Sequence, residues 1–523
     1  MCCATRHAAF PGARSPCGIQ AAEPVLTTPH DILIIGAGPV GLSTALHARR
    51  RGLRAAIVDQ GPVANHLLAF PIGMAFFTPR HSLELLGIPL DSPRQHATRE
   101  EILSYYGRLA RLAELELHAG QRFERLDGGD GDFTAIARTA GGREVHHRAR
   151  KLVIATGVFG QPRRLPAIPG ADHAKVTYRY REPFAYAGQR VVLVGAGNSA
   201  AGAALALHLA GARVTVLDRN PSIAPAKWRW HLEDLQQLVA SGEITLLRRA
   251  GLTRIDDDTV TVDVAGEPRQ LGNDAVIVQL GYAPDTALLD RVGVTVDATA
   301  TPVIDPRTLE TARRGVFLAG IVCAGTSPDR IFVWGARHHA RAIVGAIAGD
   351  PPLADLADLG LTTIAHWAQF ERLGDELDEA LALRMVPVVT GEIADDFFDV
   401  YGYATRSANL YAQTPARVEQ AGARSIGSLL GALDGWLLQR NDDGSVVYKG
   451  QRLSADAFEI LRLCDGTRRI ADILDALAAE YDQPADELRG PVLALLLSLL
   501  RAGKLTWRPA PLYAGSAGPS SAS

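Results

Sequence analysis

The chain has 523 residues, 47% hydrophobic and 21% charged, with a formal net charge of −3. This is ordinary globular composition, long enough for about three domains of ~150 residues, and it carries no basic excess that would mark nucleic acid or an anionic membrane as a partner. No apolar run reaches the ~20 residues that span a bilayer, so a soluble protein without a membrane partner is expected.

Residues 1–30 lack the continuous apolar segment of a secretory signal and read as a disordered leader, with an organelle transit peptide as the alternative. Of five cysteines, Cys2, Cys3 and Cys17 lie in that leader, leaving only Cys323 and Cys464. A disulfide framework or a cysteine zinc site is therefore not supported, no metal is expected, and a reducing cytoplasm fits.

From Asp31 to about Gly349, apolar strands alternate with Ala/Leu-rich helices, the pattern of an α/β doubly wound sheet. Two stretches repeat one design: "DILIIGAGPVGLSTALHARRRGLRAAIVDQ" (Asp31 to Gln60) and "RVVLVGAGNSAAGAALALHLAGARVTVLDR" (Arg190 to Arg219). Each reads as a buried strand, a glycine turn, a helix and a second strand closed by an acid. The first glycine of such a turn makes it tight, the second admits a pyrophosphate to the backbone N–H groups, and the third lets helix and strand approach. Gly36, Gly38 and Gly41 hold these places first, then Gly195, Gly197 and Ala200. Asp59 and Asp218 each follow the first glycine by 23 residues, where a carboxylate can grip a ribose hydroxyl. "KLVIATGVFGQP" (Lys151 to Pro162), with Thr156 and Gly157, and "AVIVQLGYAPDT" (Ala275 to Thr286) are apolar strands ending in glycine turns, as expected where the chain crosses between two interleaved domains.

"PPLADLADLGL" breaks the alternation, and residues 351–429 read as a helical linker to which no chemistry is assigned. From Leu430, short strands surround an Asp-Gly turn, and "ADAFEILRLCDG", "RRIADILDALAAEYD" and "ELRGPVLALLLSLLRAGKL" read as three helices. Residues 511–523 read as a flexible tail.

The order of GxGxxG, an "ATG" strand, GxGxxA and a "GYxPD" turn resembles the two-dinucleotide-binding flavoproteins. "NHLLAFPIGMAFFTP" (Asn65 to Pro79), "ATREEILSYY", "KVTYRYREPFAYAGQRVVLVGAGNSA" and "RIFVWGARHHA" narrow the resemblance to the thioredoxin-reductase-like group that includes bacillithiol-disulfide reductases. It implies an FAD-binding domain over 31–167, completed by 287–350, with an NAD(P)H-binding domain over 168–286 inserted between. Gly320, in "GVFLAGIVCAG", belongs to the completing turn. The Cys-x-x-Cys pair of a thioredoxin reductase is missing from "TYRYREPFAYAGQ", Val40 stands where many of the bacillithiol group carry a cysteine, and Ile321 replaces the usual acid. The flavin is then expected to act directly on its substrate or on O2. His338 and His339, at the start of a helix, and Cys323, near the completing turn, are the catalytic candidates; Met74, Phe76 and Phe77 are candidates to pack around the flavin ring. Asp218 favours NADH, whereas Arg219, Lys227, Arg229 and Arg181 could serve the 2′-phosphate of NADPH, so both donors stay open.

The pattern "ILxLCDGxRxIxxIxxxL" within residues 430–510 resembles PqqD-like domains, winged-helix-like α+β modules. It implies recognition of the leader of a ribosomally made precursor peptide as an added strand. Ten Lys/Arg against twelve Asp/Glu from Leu430 to Ala510 argue against a DNA reader. The expected function is an FAD-dependent NAD(P)H oxidoreductase tailoring such a peptide. The alternatives are a flavin-dependent hydroxylase and a redox-sensing binding protein, and a homodimer is left open.

Overall fold

The computed structural model describes residues 28–222, 232–326, 331, 333–351, 377–389, 438–440, 446–448, 451–453, 460–461, 463–501 and 505–512. The leader up to residue 27, Lys227, Arg229, most of the linker, most of the first C-terminal helix and the tail from residue 513 lie outside the described residues.

The first sheet grows from β1 (His30–Ile35), whose Ile32, Leu33 and Ile34 are fully buried. Helix α1 (Pro39–Arg50) follows, then β2 (Ala55–Asp59), helix α2 (Arg99–Leu112), β3 (Glu116–Ala119), β4 (Gln121–Gly129), β5 (Asp132–Thr139) and β6 (Glu144–Ile154). The order is β3-β2-β1-β6-β5-β4. β1 lies parallel to β2 and β6, with Ile34 opposite Ile57 and Val153, and β4 to β6 run as an antiparallel meander. A continuous apolar run suits β1 because both of its faces are covered: Ile32 and Ile34 share a cluster with α1 and α2, and Leu33 and Ile35 share one with Phe123, Leu126 and Phe133 of β4 and β5.

The second sheet is β10-β9-β8-β14-β7, all parallel: β7 (Val176–Thr177), β8 (Arg190–Val194), β9 (Arg213–Asp218), β10 (Thr245–Arg248) and β14 (Ala275–Val278). Helices α3 (Asn198–Leu209) and α4 (Leu232–Ala240) connect its strands, and β11 (Ala250–Ile255), β12 (Thr259–Val264) and β13 (Glu267–Gly272) form an antiparallel ribbon beside it. After α5 (Thr286–Arg291), the chain returns to the first sheet. β15 (Val316–Leu318) pairs parallel with β6, Phe317 opposite Val153, and α6 (Val333–Ala348) packs on α1. The first sheet is thus completed after the second.

Within the linker, Val386–Val389 forms a strand, β16, rather than helix. It pairs antiparallel with β20 (Leu505–Arg508) after the ribbon β17 (Leu438–Arg440), β18 (Val446–Tyr448) and β19 (Gln451–Leu453). Helices Ile470–Tyr481 and Ala485–Arg501 complete the C-terminal module. The module is docked: Ile470, Ile473 and Leu496 share one apolar cluster with Ile102, Tyr105 and Leu109 of α2. Trp507, fully buried, donates through Nε1 to the Pro89 carbonyl (3.0 Å) and meets Tyr105 edge-on at 6.3 Å. The Arg108 guanidinium lies 4.6 Å from the centre of the Trp507 ring and pairs with Asp91. Among the described residues, no helix is long and apolar enough to cross a membrane.

Candidate functional site

The first cradle has the geometry its glycines predict. Gly36 adopts φ +115°, and a Cβ there would lie 2.5 Å from the Ala155 carbonyl oxygen; a Cβ on Gly41 would lie 1.9 Å from that of Gly36. Around Gly38, by contrast, the space is open. Gly38 caps α1 without a side-chain hydrogen bond, so the helix presents its leading N–H groups and positive dipole end to an anion. At the end of β2, Asp59 accepts from Ala37 N through Oδ2 (2.7 Å) and from Gly61 N through Oδ1 (2.8 Å). Burial raises its pKa, opposed by those two amides and by nearby His66, whose own pKa burial lowers.

The second cradle repeats the turn with a different closure. Gly195 also has φ +115°, facing the Gln279 carbonyl oxygen at 2.3 Å from a would-be Cβ, and Gly197 is open. Ala200 is accommodated, buried, in the third place. Asp218, 2% exposed at the end of β9, accepts through Oδ1 from Asn220 N (3.0 Å) and Asn220 Nδ2 (2.9 Å). Its Oδ2 is buried with no hydrogen-bond partner among the described residues.

One cavity of about 1680 Å³ runs from cradle to cradle, walled by Gly36, Gly38, Asp59, Thr156, Gly157 and Gly320 at one end and by Gly195, Gly197, Ala200, Asp218 and Arg219 at the other. Met74, Phe76 and Phe77 line it as expected, whereas Arg181 does not. Phe70, Phe159 and Tyr282, which sequence reasoning missed, line it too. Phe159 meets Phe70 at 5.3 Å and Tyr282 at 5.1 Å, both edge-on. Phe159 stands two residues beyond Gly157 and Tyr282 directly after Gly281, in the two crossing segments. The loop bearing Phe70 is tied to α2, where Arg99 donates to the Leu67 (2.8 Å) and Leu68 (3.1 Å) carbonyls. The "ATREE" stretch makes this helix start where it does: Thr98 and Glu101 form a reciprocal capping box.

The three catalytic candidates are not in the wall of that cavity. Cys323 is buried in the core beneath the first sheet, and burial pushes its thiol up to about 12, so it holds its proton. His339 is buried as well; its Nδ1 accepts from Gly320 N (3.1 Å), and burial, with His338 beside it, brings its pKa down to about 4. The neutral imidazole thus holds the amide of the completing turn. His338, the adjacent residue of α6, is also buried. No cysteine is among the described residues of the cavity wall.

Two interleaved Rossmann-like domains, opening paired glycine turns onto one shared cavity, define an oxidoreductase that brings two dinucleotides together. Residues 33–320 match the family model of pyridine nucleotide-disulphide oxidoreductases, and the chain belongs to that family as an FAD-dependent NAD(P)H oxidoreductase. Residues 444–505 match the model of coenzyme PQQ synthesis protein D, so a PqqD domain is fused behind the reductase. Over 319 residues the chain is 31% identical to a bacilliredoxin reductase of Bacillus subtilis (strain 168), a match covering 60% of this chain and 97% of the relative. It is 26% identical over 339 residues to ferredoxin–NADP reductase 1 of Cupriavidus necator, covering 62% and 90%. The structure of a bacillithiol disulfide reductase from Bacillus cereus superposes with a TM-score of 0.60 at 30% identity, over 62% of this chain and 99% of that one.

Proposed function

We propose that this enzyme passes electrons from NAD(P)H through FAD directly to a peptide, with no cysteine relay, and that the PqqD domain recruits that peptide by its leader. The observation that carries the reading is the single cavity joining both cradles without a cysteine in its described wall. Gly36, Gly38, Gly41, Asp59, Thr156, Gly157 and Gly320 would hold FAD; the rigid turn, the open Gly38 and the uncapped helix start fit its pyrophosphate. Gly195, Gly197, Ala200, Asp218 and Arg219 would hold the nicotinamide nucleotide. FAD held there would supply two-electron hydride chemistry between the nicotinamide and the substrate. The protein's part is alignment and exclusion of water: Phe70, Phe159 and Tyr282 make an apolar collar between the cradles, and Asp59 fixes the turn by holding two loop amides.

Docking of the PqqD domain on α2 supports a fixed relation between peptide recognition and the flavin side of the molecule, more restrictive than a loose tether. A reducing cytoplasm suits the reading. The test is anaerobic: flavoprotein, NADH or NADPH, and any short precursor peptide found to be encoded beside its gene. Flavin should bleach without peptide, and peptide with two added hydrogens should form only when all three are present. Copurification without flavin defeats the reading, and peptide gaining one oxygen atom in air replaces reduction with hydroxylation.

A further inference from the structure

We infer that Asp218 makes this enzyme select NADH over NADPH. The inference rests on the assignment of the second cradle to the nicotinamide nucleotide.

Asp218 closes β9 beside the Gly195 turn and lines the cavity. Asn220 holds one of its oxygens with two donors, its backbone N and its Nδ2, which fixes the carboxylate plane. The other oxygen, Oδ2, is buried and has no donor among the described residues. A buried acceptor left without a donor is unfavourable, so the site asks for a ligand that brings one. The ribose of NADH brings hydroxyl donors. The 2′-phosphate of NADPH brings acceptors and close to two negative charges, and would meet a carboxylate that Asn220 keeps from swinging away.

Asp59 shows what a satisfied acid in the same register looks like, since both of its oxygens accept from backbone N–H groups. Among the described residues, Arg219 is the one of the four candidate cations that lines the cavity and could serve a phosphate, being exposed on its wall. It is also next in sequence to the carboxylate, so a phosphate reaching it would stand beside both charges. Asn220 is a positioning residue in this scheme: it touches the acid, not the nucleotide.

Isothermal titration of the flavoprotein with NAD+ and with NADP+ tests the inference without turnover. Wild type should bind NAD+ at least about tenfold more tightly. Asp218→Asn keeps the shape and removes the charge, and should bring the two affinities within about threefold, chiefly by tighter NADP+ binding. Adding Arg219→Ala to that variant should reverse the gain in NADP+ affinity. Asn220→Ala should weaken NAD+ without strengthening NADP+. Wild type binding NADP+ as tightly as NAD+, or a preference unchanged in Asp218→Asn, overturns the role of Asp218 while leaving the reductase assignment standing. Binding of neither nucleotide overturns the cradle assignment itself. Should Asp218→Asn fail to fold, the wild-type preference alone decides.

Discussion

The two cradles are near copies in backbone and differ in what they leave open. Both turns begin on a glycine at φ +115°, and both second strands end in aspartate. In the first, the third position must be glycine, because a Cβ would run into the Gly36 carbonyl; in the second, Ala200 fits. Each Asp59 oxygen already holds a backbone amide, whereas Asp218 keeps one oxygen without a donor among the described residues. The first half is further locked by α6 and by the docked C-terminal module. A closed, preformed cradle suits a resident cofactor, and one with an open acceptor suits a nucleotide that comes and goes.

The contrast can be broken most forcefully from the C-terminus. Trp507→Ala removes a fully buried indole, its hydrogen bond to Pro89 and its stack with Arg108, and should destabilise the flavin half by about 3–5 kcal/mol. Thermal unfolding followed by flavin fluorescence should show early flavin release, while nicotinamide affinity at low temperature should hold. Equal loss at both cradles would mean that the halves are one cooperative unit.

Acidity should touch the flavin half as well. Burial pushes the Glu84 carboxyl up to about 7, against the pull of the Leu90 amide and of Arg501, Arg80 and Arg337. The folded chain then holds a proton that the unfolded chain releases near pH 4.5. Stability should therefore fall as pH rises between about 4.5 and 7, by on the order of 3 kcal/mol at most, and level off above. Denaturant titrations across that range should show the slope in wild type and its loss in Glu84→Gln.

The third-position contrast is sharper and smaller. Gly41→Ala should destabilise by about 1–3 kcal/mol and lower flavin content on purification. Ala200→Gly, the reciprocal change in α3, should cost about 0.5–1 kcal/mol through helix propensity alone and leave NAD+ binding near wild type. Equivalent effects at both positions would erase the distinction between the cradles.

Much of this was legible because the signals are local. Glycine spacing, an acid closing the next strand and apolar crossing segments all sit within some thirty residues of one another. The docking of the C-terminal module was not legible: Arg108 and Trp507 are separated by 399 positions, and a contact of that range leaves no periodicity to read. That the catalytic candidates lie off the cavity wall was hidden for a related reason. Ala336 of α6 faces the cavity, but His338 is about 200° further round the helix, and His339 turns behind the wall to meet the Gly320 amide. Closeness in sequence to the completing turn did not imply access to the cavity. That Asp218 Oδ2 lacks a donor among the described residues was likewise hidden, because it depends on Asn220 directing both of its donors at Oδ1.

The central claim is that electrons leave the flavin without passing through a thiol pair. Among the described residues, Cys323 and Cys464 are both free and buried. The direct test is an anaerobic reductive titration of the purified flavoprotein with NADH, followed by flavin absorbance and by a thiol count before and after. Complete bleaching at one equivalent, two electrons per flavin, with no new thiols, is the expected result. Bleaching only after two equivalents, with two thiols appearing per chain, would reveal a redox-active disulfide and contradict it.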